Sequence, residues 1–321
     1  MNVLLTSIGR RVALARAFRK ELADYSPGRV LGADVSTLSA GFHDSDGGFL
    51  VPRCTDPDYI PRLLDITRRE KVSVIVPLID TELAVLARHR EDFLREGCHA
   101  IVSDLEQVLV TRDKARTAER FRQLGFEVPR VYDAAELTRP EALTYPLFLK
   151  PSDGSSSIGA SRVDSPAELR LRLDRTESPV VQSLERGEEF TIDVFADLGG
   201  KTRCVVPRKR LEVRAGEVSK GLTVKDRDIM GAAARLVDTL GGCRGCVTLQ
   251  CFRTGDGRLV FFEANLRFGG GYPLAYEAGA NFPGWILRMV SGEEIPSFDG
   301  WEDRLLMLRF DEAVFVRNHH G

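Results

Sequence analysis

Gln250 lies in the apolar run Val247 to Phe252, while Glu263 and Asn265 end a second run that starts at Leu259; Gly255-Asp256-Gly257 joins the two. Asp-Gly between two such runs predicts a hairpin. Strand side chains alternate, so residues 263 and 265 share a face, and the two strand ends can lie side by side. Three hard oxygen donors would then converge, as magnesium requires beside phosphate oxygens. Alone, Glu-Ala-Asn is a bland polar strand end. Lys150 closes another apolar run, Pro146-Leu147-Phe148-Leu149. A buried ammonium there wants an anion. The following loop holds Gly154, Ser155, Ser156 and Ser157, small residues that let backbone amides close over phosphate oxygens. No Gly-Lys-Ser/Thr opens a helix, so this is not a Walker A loop, and by itself it would read as a linker.

Three further groups are weaker in isolation. Asp113-Lys114 would pass for solvated surface charge. Glu185-Arg186-Gly187-Glu188-Glu189 leaves one strand and enters the next, where an acid can hold ribose hydroxyls. Pro207-Arg208-Lys209-Arg210, with Arg214 and Lys220, is either a solvated strand face or a second anion-binding surface.

The elements that must position these residues follow from hydrophobic period. Asn2 to Thr6, Arg29 to Val35, Val72 to Val76 and His99 to Ser103 read as strands. Helical patterns lie between them at Val12 to Leu22, Ile60 to Ile66 and Leu83 to Leu94. This alternation predicts a parallel, Rossmann-like sheet. Gly9 is followed by Arg10-Arg11-Val12 rather than a G-x-G-x-x-G turn, which argues against dinucleotide binding even though Asp34 ends the second strand. One long helix is expected over Leu105 to Leu124, strands at Val180 to Gln182 and Phe190 to Phe195, and a mostly helical stretch over Ala275 to Val290 broken at Pro283.

The chain of 321 residues suits two or three domains, with 43% apolar and 29% charged residues. Its net charge of −2 gives no global field to recruit nucleic acid or anionic membrane, and no aromatic residues interleave with the basic run. No long apolar stretch predicts a membrane span, and the N-terminus lacks a signal-peptide pattern, so a cytoplasmic protein is expected. The six cysteines are too few for a disulfide scaffold, and the Cys243/Cys246 pair lacks a companion zinc motif. The final His319-His320 pair carries no assigned role.

Taken in order, these motifs resemble the ATP-grasp superfamily, especially its carbamoyl-phosphate-synthase-like members. The resemblance runs from the Rossmann-like region through Asp113-Lys114, Phe148-Leu149-Lys150-Pro151 and its loop, and Gly187-Glu188-Glu189-Phe190-Thr191, to Glu263-Ala264-Asn265-Leu266-Arg267. It implies an α/β chain with a Rossmann-like pre-ATP-grasp domain over 1–107, a small ATP-grasp subdomain over 108–183 and a C-terminal subdomain over 184–321. It also implies ATP and Mg2+, or Mn2+, as cofactors. Lys114 and Lys150 would contact ATP phosphates beneath the loop of Gly154, Ser155, Ser156 and Ser157. Gln182, Ser183, Leu184 and Glu185 would form the adenine hinge, and Glu189 would bind ribose. Gln250, Glu263 and Asn265 would hold the metal, and Arg267 would steady the transferred phosphoryl group. Arg210 and Lys220 are candidates near the phosphate and substrate sites. With one such unit and no glutaminase segment, a stand-alone carboxylate–amine ligase fits better than carbamoyl phosphate synthesis. Its partners would be a small-molecule carboxylate and an amine or ammonia, with no nucleic acid or membrane, and a homodimer is compatible. The alternative is a non-catalytic nucleotide sensor on the same fold. Asp80-Thr81-Glu82, after a strand, is expected to face the substrate.

Overall fold

Runs of Val, Leu and Ile at the start of the chain form buried strands, because branched side chains pack well on a pleated surface covered on both faces. The computed structural model describes residues 1–152, 159–214 and 216–317. Strands β1 (Asn2–Thr6), β2 (Val30–Asp34), β3 (Gly48–Leu50), β4 (Val72–Pro77) and β5 (His99–Ala100) make a parallel sheet in the order β3-β2-β1-β4-β5. Helices Val12–Tyr25 and Tyr59–Glu70 provide crossovers. The strand order reverses beside β1, which leaves a crevice at the carboxyl ends of β1 and β4.

The middle of the chain forms a small antiparallel sheet, β7-β6-β8, from β6 (Leu147–Pro151), β7 (Ser161–Val163) and β8 (Pro179–Ser183). A second antiparallel sheet has the order β13-β12-β9-β10-β11-β14. It comprises β9 (Gly187–Ala196), β10 (Thr202–Arg214), β11 (Glu217–Thr223), β12 (Gly245–Thr254), β13 (Leu259–Asn265) and β14 (Leu306–Leu308). One continuous apolar core joins the parallel sheet to this larger antiparallel sheet, whereas Leu147, Leu149, Val163, Leu169 and Val181 build a separate core for the small one. Two walls of the cleft are therefore set on one core and the third on its own.

Several element boundaries differ from the sequence expectation. The stretch Leu105 to Leu124 is two helices, Leu105–Arg112 and Lys114–Gln123, because Asp113 adopts extended backbone and its carboxylate accepts from the amides of Ala115 and Arg116, both at 2.9 Å. Leu83 to Leu94 likewise divides at His89 into Asp80–Arg88 and Arg90–Arg95. In the last helical stretch the break falls earlier than Pro283, which opens the helix Phe282–Val290; its missing N–H is harmless there. The basic run at 207–210 lies within the long strand β10. Among the described residues, no helix is long and apolar enough to cross a membrane.

Candidate active site

The hairpin β12–β13 places Gln250 directly opposite Glu263, and Thr248 opposite Asn265. Asn265 Nδ2 donates to Glu263 Oε1 at 2.8 Å, so the amide and the carboxylate already touch. Gln250 Oε1 accepts from Arg210 Nη1 at 2.8 Å, and the same guanidinium nitrogen lies 2.8 Å from Glu189 Oε1. Arg210 thus ties the candidate metal residue Gln250 to the candidate ribose residue Glu189. Burial raises the Glu189 carboxyl above its ordinary pKa, which Arg210 partly opposes.

Lys150 enters from the small sheet, near the end of β6, and only 7% of it is exposed. No hydrogen bond joins its ammonium to another described residue. Burial pulls its pKa down to about 8; Glu263 opposes that shift and Lys114 adds to it. Lys114 starts its helix beside the end of β6, its backbone N–H donating to Ser152 O at 3.1 Å. Both lysines line the cleft, of about 710 Å3, with Gln182, Ser183, Leu184 and Glu189. The Ser183 N–H donates to Arg130 O at 2.8 Å, and its hydroxyl donates to Glu185 at 2.6 Å. Gly154, Ser155, Ser156 and Ser157 lie outside the described residues.

Arg267, just past β13, reaches the other end of the cleft. Its Nε and Nη2 donate to Asp80 Oδ2 at 3.1 and 2.7 Å, an ion pair between the end of β13 and the first helical turn after β4. Asp80 and Thr81 line the cleft, as their position after a strand suggests. Glu82 does not. It is fully buried, accepts from the Leu78 and Ile79 amides, Ser7 Oγ and Tyr59 OH, and its carboxyl is raised by burial. Lys220 also falls outside the cleft lining: half-exposed, it pairs with Glu212 at 2.7 Å.

Sequence reasoning missed three features of the cleft. Phe252 and Phe262 stack across the hairpin with centroids 4.7 Å apart and line the cleft, an apolar surface suited to an aromatic ring. Arg208 is buried, bidentate to Asp193 at 2.6 and 3.0 Å, yet its Nη1 has no acceptor among the described residues. Arg11 lines the N-terminal end of the cleft. Its signal was an arginine at the carboxyl end of a parallel strand, where ligands of such sheets bind. Elsewhere, Asp34 accepts from the Gly9 amide at 2.7 Å and from Ser39 Oγ at 3.1 Å, which ties the turn after β1 to the end of β2. Cys243 and Cys246 are buried free thiols, raised in pKa by burial, as a packing role requires. Among the described residues no three His, Cys, Asp or Glu side chains cluster as a metal site, so the amides of Gln250 and Asn265 are essential to the candidate one.

Known proteins share this architecture. The family described as "PylC-like, N-terminal domain" matches residues 3–101, and that described as "ATP-grasp in the biosynthetic pathway with Ter operon" matches residues 176–310. The vancomycin B-type resistance protein of Enterococcus faecalis is 24% identical over 230 residues, covering 62% of this chain and 66% of that protein. A D-alanine–D-alanine ligase of Streptomyces griseus is 30% identical over 171 residues, covering 46% of this chain and 43% of the ligase. The chain thus spans less than two thirds of the length of these relatives. The biotin carboxylase domain of Hydrogenobacter thermophilus 2-oxoglutarate carboxylase, solved as a dimer with MgADP, ADP and bicarbonate, superposes with a TM-score of 0.75 at 16% identity, covering 95% of this chain and 73% of that one. With its parallel-sheet domain followed by two antiparallel sheets that enclose a cleft, the chain has the fold of these ATP-grasp proteins, and its residues 176–310 are similar to an ATP-grasp family.

Proposed function

We propose that this chain is a magnesium- and ATP-dependent ligase that activates a carboxylate as an acyl phosphate for attack by an amine or ammonia. The observation that carries the reading is Lys150: a buried ammonium with no hydrogen bond to a described residue, lining the same cleft as Gln250, Glu263 and Asn265 and sensing the Glu263 charge. A buried cation that only the nearby Glu263 charge opposes, with no hydrogen bond to a described residue, suits an anion supplied from outside. The donor set fits magnesium, with one carboxylate and two amide oxygens on adjacent strand positions. When bound, the ion would neutralise charge on the phosphates.

In this reading Phe252 and Phe262 support the base, Glu189 the ribose, and Lys114 and Lys150 the phosphates. Phosphoryl transfer needs positioning and charge neutralisation more than covalent help. A substrate carboxylate oxygen attacks the γ-phosphorus and ADP leaves. The amine then adds to the acyl carbon, loses a proton, and expels inorganic phosphate. Arg267, held by Asp80, offers Nη1 near the end of β13, where charge builds on the transferred group; at present it donates to Phe268 O at 3.1 Å. The D-alanine–D-alanine ligase relative and the MgADP-bound biotin carboxylase likeness support the reaction class and cofactors. Domain boundaries at 107 and 183, a cytoplasmic setting and a homodimer belong to the same proposal. The test is phosphate release from Mg-ATP across a panel of carboxylic acids, each with and without ammonia or an amine. Release that depends on one acid is expected. Tight Mg-ATP binding with no acid-dependent release would favour a nucleotide sensor.

A further inference from the structure

The N-terminal end of the cleft holds more arginine than the nucleotide chemistry uses. Arg11 follows β1 and lines this end with Asp80, Glu217 and Arg267. Its guanidinium makes no hydrogen bond and no ion pair with a described residue; burial, Arg267, Arg309 and Arg10 pull its pKa below the usual arginine value, and the Glu217 charge only partly opposes them. The acids nearby are already engaged. Glu217 pairs with Arg309 at 2.9 Å and Arg10 at 3.7 Å, and Asp80 holds Arg267. Arg10, Arg11, Arg267 and Arg309 thus face two carboxylates.

The backbone beneath Arg11 is shaped for it. A Cβ at Gly270 would stand 2.8 Å from Arg11 Nη1 and 2.9 Å from Glu217 Oε1, so only glycine leaves the guanidinium its place there without a shift. A Cβ at Gly271 would stand 2.3 Å from Arg208 Nη1, the buried N–H group that has no acceptor among the described residues. Two guanidinium groups with unused donors therefore flank one glycine run on the cleft wall. A guanidinium matches a carboxylate or phosphate through paired N–H···O bonds, and does so most strongly where water is scarce.

We propose that Arg11 is a specificity residue that pairs with a second anionic group, carboxylate or phosphate, on the acid substrate, so that this cleft selects acids carrying two anionic groups. What becomes of the bound acid rests on the ligase reading; its binding at Arg11 does not. The experiment is calorimetric titration of the full chain, loaded with Mg-ADP, against matched acids: succinate with butyrate, glutamate with norvaline, and 3-phosphoglycerate with glycerate. At least one dianionic acid should bind about ten-fold tighter than its partner. Arg11→Gln should remove that preference by weakening the dianion alone, and Arg11→Lys should restore part of it. The pair that separates identifies the group as carboxylate or phosphate. Equal affinities within every pair, absence of binding by all of them, or a preference that survives Arg11→Gln would overturn the assignment. Phosphate release from Mg-ATP with the same acids is read in parallel. Selective binding without release would sink the ligase reading and leave Arg11's role standing.

Discussion

At the scale of single residues, Lys150 is stabilising only when something negative meets it. Its pKa near 8 in the folded chain lies below the ordinary lysine value of 10.5. Between those two values the unfolded chain binds more protons than the folded one, so this group's contribution to stability rises with pH across that window. Below it the buried ammonium costs stability in full. Lys150→Met should therefore raise the thermal midpoint of the ligand-free protein at pH 7, by about 2 °C or more, while abolishing the extra stabilisation that Mg-ATP gives. A lower midpoint in the ligand-free variant would mean that the ammonium is satisfied within the fold. The same shift predicts proton uptake when nucleotide binds near pH 8, because phosphate holds the ammonium charged; calorimetry in buffers of different ionisation enthalpy reads it, and Lys150→Met should lose it. Glu263 is the one carboxylate of the candidate metal trio, so Glu263→Gln should lower phosphate release by about 100-fold or more with an unchanged circular dichroism spectrum. Near-normal release would remove Glu263 from the metal site. These residues were readable because chemistry-bearing types stood at strand ends. Arg11 was not, since an arginine beside another arginine looks like surface charge until the strand order puts it at the crevice.

At the scale of elements, caps and strand registers decide where those side chains arrive. Asp113 ends one helix and caps the next, and this break brings the Lys114 backbone to Ser152 at the end of the Lys150 strand. Asp113→Ala should cost about 1 kcal/mol in urea unfolding, and Asp113→Asn much less, because an amide oxygen also caps. Equal losses in both would mean that the charge, not the cap, matters. The cap was legible in principle as an Asp before Lys-Ala-Arg, but the unbroken helical period on both sides concealed it. The strands β1, β4, β6, β12 and β13 stood out as branched apolar runs. β10 did not, because Pro207-Arg208-Lys209-Arg210 interrupts the alternation that marks a half-buried strand. The structure resolves this by burying Arg208 against Asp193 of the adjacent strand, a pairing between residues 15 apart in sequence that no local pattern encodes. Lys220, paired with Glu212 outside the cleft lining, could not be placed for a related reason: its strand was not recognised, so the face it presents could not be assigned.

At the scale of the whole molecule, the parallel-sheet domain does more than sit beside the ATP-grasp fold. Phe18 of its first helix meets Phe268 edge to face at 6.0 Å, and Glu21 accepts from Tyr276 OH at 2.6 Å and Asn281 Nδ2 at 2.5 Å. The segment after β13 is thereby gripped by the N-terminal domain on one side, while Asp80 fixes Arg267 on the other. In the proposed reaction, a guanidinium held in this way would be oriented before charge develops, so reorientation would add little to the barrier. Asp80→Asn keeps the volume but removes the charge that fixes Arg267. We expect Mg-ADP affinity to stay within about two-fold while acid-dependent phosphate release drops about ten-fold, since only an interaction used in the transition state is weakened. Asp80→Glu should recover part of the rate. Parallel loss of nucleotide affinity and stability would instead make the pair a domain clamp. A drop confined to turnover would tie the position of Arg267, and with it the chemistry of the cleft, to a residue more than half the chain away in sequence.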